Sequence, residues 1–145
     1  MEITCQILIS LFFLLIPCTS LSLATDELYC LQLNLYHEAR GEGIAGMIAV
    51  AEVTMNRVES PQWPNKVCQV VYQKKQFSWA HDDIPDLMKD RESAKLSALL
   101  SQVVLNGLNL NLTKGATHYH SHLIQPYWTH SLTRTVQIGN HIFYK

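Results

Sequence analysis

The 145-residue sequence has almost no net charge, formally −1 at pH 7, with eleven Lys and Arg against twelve acids and no basic run. Near-neutrality of this kind argues against a nucleic-acid partner, and no aromatic-interleaved basic platform offsets it. Glycine and proline are sparse, at six and five. Neither an internal repeat nor a low-complexity tract nor a linker is present, which argues for one cooperative unit. Gly-x-Ser-x-Gly and His-Glu-x-x-His are both missing, and there is no thiolate cluster. The familiar signatures of a serine-hydrolase elbow and of a zinc site are therefore lacking. Ser78 and His81 are the nearest approach to a serine–histidine pair, and a separation of three positions is weak grounds for one.

The longest apolar run is Ile7 to Ile16, ten residues in which only Ser10 is polar, followed by Pro17 and the small-residue stretch Leu21-Ser22-Leu23-Ala24. That length suits the core of an export signal and falls short of a membrane span, although Glu2 stands where a signal normally carries Lys or Arg. The expected division is residues 1–24 as an export segment and 25–145 as the folded domain, with an uncleaved anchor or a buried N-terminal helix as alternatives. The mature protein is expected outside the cytoplasmic membrane, in periplasm, wall or medium, as a monomer without stable membrane association. Pro17 argues against lipidation of Cys18. Cys5 and Cys18 leave with the signal, so Cys30 and Cys68 remain, either as one disulfide or as two buried thiols.

Periodicity predicts a helix over residues 27–39 through Leu28, Leu31, Leu35 and Ala39, broken by Arg40-Gly41-Glu42-Gly43. A stronger one follows through Ile44, Met47, Ile48, Ala51, Met55 and Val58, with small residues that allow close helix approach. Lys66 to Tyr72 reads as a short helix or irregular segment, and Arg91 to Leu105 as a helix closed by Asn106-Gly107. After Gly115 the pattern becomes two-residue alternation, and Thr135 to Ile138 and His141 to Tyr144 flank Gly139-Asn140 as a hairpin would. Helices followed by a small sheet predict an α+β domain.

Five stretches in this order resemble the spore cortex-lytic type of bacterial cell wall hydrolase: Leu35-Tyr36-His37-Glu38-Ala39-Arg40-Gly41-Glu42, Ala49 to Val58, Gln76-Phe77-Ser78-Trp79, Gly115 to His120 and Ile138 to Tyr144. The resemblance implies a lysozyme-like, mainly helical domain with a small C-terminal antiparallel sheet. It implies action on peptidoglycan glycan strands, as a lytic transglycosylase or muramidase, with the catalytic glutamate at Glu38 and no cofactor or metal. Gln76, Phe77 and Ser78, the segment His118 to His120, and the closing His141 to Tyr144 would then line the cleft. Many relatives of this type carry a separate glycan-binding module or anchor; a phage lysis protein or small stand-alone enzyme is the expectation here.

A glutamate partly shielded at a helix end holds its proton to higher pH, which is what protonation of a departing sugar oxygen requires. A two-carboxylate glycosidase needs a second acid opposite the first, and Glu42 and Glu52 are the nearby candidates. If neither faces the cleft, the C6 hydroxyl of muramic acid can attack internally and leave a 1,6-anhydro product. Arg40 fits either a structural ion pair or a substrate carboxylate. Asn56 and Arg57 fit internal bracing better than sugar contact. Phe77, Trp79, Tyr119, Trp128 and Tyr144 offer faces for sugar rings or for core packing. His118, His120 and His122 alternate and, with His130 or His141, define the competing expectation of a zinc-dependent amidase or peptidase. A non-catalytic wall-binding module is the alternative outside enzymes.

Overall fold

The computed structural model describes residues 18–74, 76–82 and 85–145, with side chains from residue 25 onward. The export segment expected over residues 1–24 lies outside this description except for the backbone of 18–24. Among the described residues four helices come first: α1 (Cys18–Ala39), α2 (Gly43–Glu59), α3 (Val67–Val71) and α4 (Arg91–Leu105). Three strands follow, β1 (His118–Ser121), β2 (Arg134–Ile138) and β3 (His141–Tyr144), with 3-10 turns at Trp79–His81 and Tyr127–Ser131. Mainly helical, with a small C-terminal antiparallel sheet, the domain has the α+β architecture expected from the sequence.

Helix α2 occupies the centre. Residues Gly46 to Thr54 are all buried, so its apolar residues face more than one neighbour. One face joins Leu31, Leu35 and Ala39 of α1, Val67 and Val71 of α3, and Leu100 and Val104 of α4 in the main core. Ala49 and Val53 meet the sheet through Ala116 and Phe143. Fully burying one such aliphatic side chain contributes about 2 kcal/mol, so this shared helix joins both cores energetically. Helix α1 is already helical at Cys18, the first described residue, and so extends ahead of residue 27, the start read from periodicity; no glycine or proline interrupts the chain between them. Cys30 and Cys68 form a disulfide, with Cα atoms 5.2 Å apart, that ties α1 to α3.

The sheet order is β1-β3-β2, with β3 pairing antiparallel to both neighbours. His118 stands opposite Tyr144 and Ser121 opposite His141. Two buried contacts from α2 set this sheet in place. The Glu52 carboxylate accepts the backbone N–H groups of Leu112 and Thr113 at 3.0 and 2.9 Å and the Thr113 hydroxyl at 3.0 Å. One turn on, Asn56 Nδ2 donates to Ala116 O at 2.8 Å and Arg57 Nε to Thr117 O at 2.7 Å. Glu52 and Asn56 lie one turn apart on α2 and Arg57 follows on the adjoining face, so the C-terminal half of α2 holds the approach to β1 at three points.

Candidate active site

Glu38 lies in the last turn of α1, where the helix ends before Arg40 and Gly41. Tyr119 of β1 donates its hydroxyl to Glu38 Oε2 at 2.9 Å, a contact spanning eighty-one positions that depends on the α2 bracing of β1. Burial pushes the Glu38 carboxyl above its ordinary range, while the Tyr119 hydroxyl, the Trp79 indole and the Arg57 cation pull it partly back. The buried Trp79 Nε1 makes no hydrogen bond of ordinary geometry and acts on the carboxylate by proximity. Tyr119 is in turn raised well above its usual value, by burial first and then by the Glu38 charge. A shielded carboxyl with one short donor and, among the described residues, no cation in contact is suited to holding a proton and releasing it.

Two cavities meet at Glu38, and both are also lined by Gln76 and Phe77. The larger, about 740 Å³, adds Lys74, Ser78 and His81. The smaller, about 290 Å³, adds Arg57, Tyr119, His120, Trp128 and His141. Sharing three residues, they form one groove with the carboxyl near its middle, the shape an extended polymer needs.

The remaining candidates have other surroundings. Trp79 stacks on His37 with centroids 4.7 Å apart and backs the carboxyl of Glu38. His118 sits between Trp63 and Trp128, at 5.5 and 5.3 Å, and lines neither cavity; burial and then the Arg57 charge lower its pKa. Tyr144 lies behind His120, its hydroxyl 3.1 Å from His120 Nε2. Arg40 points away, its guanidinium 4.9 Å from the Tyr36 ring and donating to Tyr36 O at 3.2 Å. Glu42 also lies outside the groove. Its carboxylate accepts Asn140 N at 2.8 Å and Asn140 Nδ2 at 3.0 Å. Partial burial opposes its charge, yet the Asn140 donors and nearby His141 and His122 hold the carboxyl below its usual range.

Neither acid weighed as a partner for Glu38 faces it. Glu42 is committed to the β2–β3 turn and Glu52 to the loop before β1. Among the described residues no second carboxylate lines either cavity. The alternating histidines do not converge on a metal geometry either. His120 contacts Ser121 O and Tyr144, and His122, past the end of β1, contacts Asn140 O. Among the described residues no three His, Cys, Asp or Glu side chains cluster as metal ligands would. His141, buried at 9% exposure, has its Nδ1 unpaired, and burial lowers its pKa.

Periodicity assigns Arg57 to internal bracing, and it does brace β1, but it also forms part of the groove. The signal was a cation on an otherwise apolar helix face. Asn140 and its bond to Glu42 had no such signal, because the two are ninety-eight positions apart.

The cell wall hydrolase family model matches residues 41–144. Glu38 lies just ahead of that stretch, while the other groove residues fall within it. The spore cortex-lytic enzyme of Halalkalibacterium halodurans is 34% identical over 111 residues, covering 75% of this chain and 32% of that protein. That of Bacillus subtilis is 30% identical over 122 residues, covering 83% and 38%. The chain thus spans less than half the length of these curated relatives. The solved catalytic domain of the Bacillus cereus SleB protein matches with a TM-score of 0.66 at 28% identity, covering 83% of this chain and 91% of that one. The catalytic domain of the germination-specific lytic transglycosylase SleB from Bacillus anthracis matches with a TM-score of 0.67 at 30% identity, covering 83% and 94%. On this evidence the chain belongs to the cell wall hydrolase family, alongside the spore cortex-lytic enzymes.

Proposed function

We propose that this domain is a lytic transglycosylase that cleaves peptidoglycan between N-acetylmuramic acid and N-acetylglucosamine, with Glu38 as both acid and base. The observation that carries this reading is a raised, half-shielded carboxyl at the middle of a groove whose described walls hold no second carboxylate. In the first half, Glu38 gives its proton to the bridging oxygen as the bond from muramic acid C1 breaks. In the second, the C6 hydroxyl of the same muramic acid bonds to C1 and returns its proton to Glu38. No water is consumed, and the new end is a 1,6-anhydro ring.

The likeness to a solved lytic transglycosylase domain supports the same reading. A hydrolytic muramidase uses the same first half and replaces the C6 hydroxyl with water. The zinc amidase and the non-catalytic module have no comparable support, since the histidines are separately engaged and the Glu38 pocket is intact. An export signal over residues 1–24, a monomeric state and action in the wall outside the membrane complete the proposal. No described helix is long and apolar enough to cross a membrane.

The test is glycan cleavage of purified peptidoglycan by the protein and by Glu38→Gln. A loss of at least about a thousandfold is expected, because the variant cannot donate the proton. Cleavage at the parent rate, or release of stem peptides from uncut glycan, would refute the assignment.

A further inference from the structure

The groove contains a buried charge that the proton transfers above do not use. Arg57, in the last turn of α2, is 4% exposed. Among the described residues it forms no ion pair. Its Nε donates to Thr117 O at 2.7 Å, its guanidinium lies 4.3 Å from the Trp63 centroid and 5.9 Å from that of Phe77, and its Nη1 is buried without a partner. Burial lowers its pKa to about 10, partly opposed by Tyr119 and Glu38, so it stays cationic at neutral pH. A desolvated cation without a contacting anion is costly, and a neutral side chain of similar length would fill the space between the rings without that cost. The charge therefore calls for a reason beyond packing.

Among the described residues the carboxylate that shares the smaller cavity with it is Glu38, and Tyr119, which donates to Glu38, lines the same cavity. Distance matters here. A contact ion pair would keep the carboxyl ionised throughout and prevent it from acting as an acid. A cation that shares the cavity without forming an ion pair offsets only part of the burial cost of the carboxylate. Arginine suits the task because its planar group is held between aromatic faces and does not lose its proton.

We propose that Arg57 is a positioning residue of the reaction: a fixed, shielded positive charge that steadies Glu38 as a carboxylate between giving up one proton and accepting the next. This rests on Glu38 being the acid and base. Among the described residues the other titratable groups near the pair are His118, Tyr119 and His120 of β1, with His118 subject to the Arg57 charge, His141 of β3, and Lys74 and His81 beside the larger cavity.

The test follows Glu38 directly, by NMR titration of side-chain carboxyl carbons in protein labelled at glutamate, its signal identified by its loss in Glu38→Gln. Arg57→Gln, Arg57→Met and Arg57→Lys are compared with the parent, together with the pH dependence of kcat and KM. In the two neutral variants Glu38 is expected to titrate about 0.5 to 1 pH unit higher. The alkaline limb of activity should move up with it, kcat should fall more than KM changes, and Arg57→Lys should restore most of both. An unmoved Glu38 titration in a neutral variant with the parent's near-ultraviolet circular dichroism overturns the proposal. So does failure of both neutral variants to fold, which would make the charge structural. If Glu38→Gln still cleaves glycan, the Glu38 reading falls and takes the role of Arg57 with it. An inactive Glu38→Gln beside an unmoved titration removes the role of Arg57 alone.

Discussion

The proposed reaction asks Glu38 to be an acid in one half and a base in the other, and its surroundings act in both directions. Burial favours the protonated form, whereas Tyr119, Trp79 and Arg57 favour the carboxylate. Cleavage should therefore persist above the ordinary glutamate range and fall as pH rises through the raised Glu38 pKa, a limb measurable in kcat/KM. Tyr119→Phe removes the 2.9 Å donor and should move that limb to higher pH while lowering kcat about tenfold. An unchanged limb would separate the phenol from the proton transfer. The same pKa bears on stability. Because the folded value lies above the unfolded one, the penalty for burying the charge is absent below the unfolded pKa and complete above the folded one. Glu38→Gln should melt at a higher temperature than the parent at pH 7, with little difference at pH 4. Equal gains at both pH values would contradict the assignment.

At the scale of elements, the groove depends on two carboxylates outside it. Glu42 fastens the β2–β3 turn to the α1–α2 junction, and Gly139 makes room for it. A Cβ on Gly139 would collide with the Glu42 carboxylate, and its φ of +55° favours glycine. Gly139→Ala should cost about 2 kcal/mol or more, read from denaturant unfolding. Glu52→Ala should cost about 3 kcal/mol, since it leaves the N–H groups of Leu112 and Thr113 without their acceptor. Parent-like stability in either variant would show that the bonds are not needed.

These contacts mark the boundary of what the sequence discloses. Helix α4 runs from Arg91 to Leu105 as its spacing predicts, and β2 and β3 flank Gly139 and Asn140 as predicted. Local periodicity and turn chemistry suffice for such elements. The central place of β3, the loop acceptor role of Glu52 and the approach of Tyr119 to Glu38 depend on partners far apart in sequence, for which one chain carries no local signal. Candidate residues were legible by resemblance. Which of them share a groove became visible only in three dimensions: Gln76, Phe77, His120 and His141 line it, while Arg40, Glu42, His118 and Tyr144 do not.

For the whole molecule, one helix supports two cores, and the disulfide adds a covalent link from α1 to α3 on the side that holds Leu31 and Val67. Cys30→Ser with Cys68→Ser should lower stability by about 2 to 4 kcal/mol in chemical denaturation while leaving the alkaline limb of activity in place. A shifted limb would mean that the bridge shapes the groove. The chemistry of that groove is read from mass spectrometry of the soluble fragments released from purified peptidoglycan. Glycan cleavage by Glu38 with the internal C6 hydroxyl predicts 1,6-anhydro-muramic ends, absent with Glu38→Gln and unaffected by EDTA. Reducing muramic ends would contradict it, because they require water and a group to activate it.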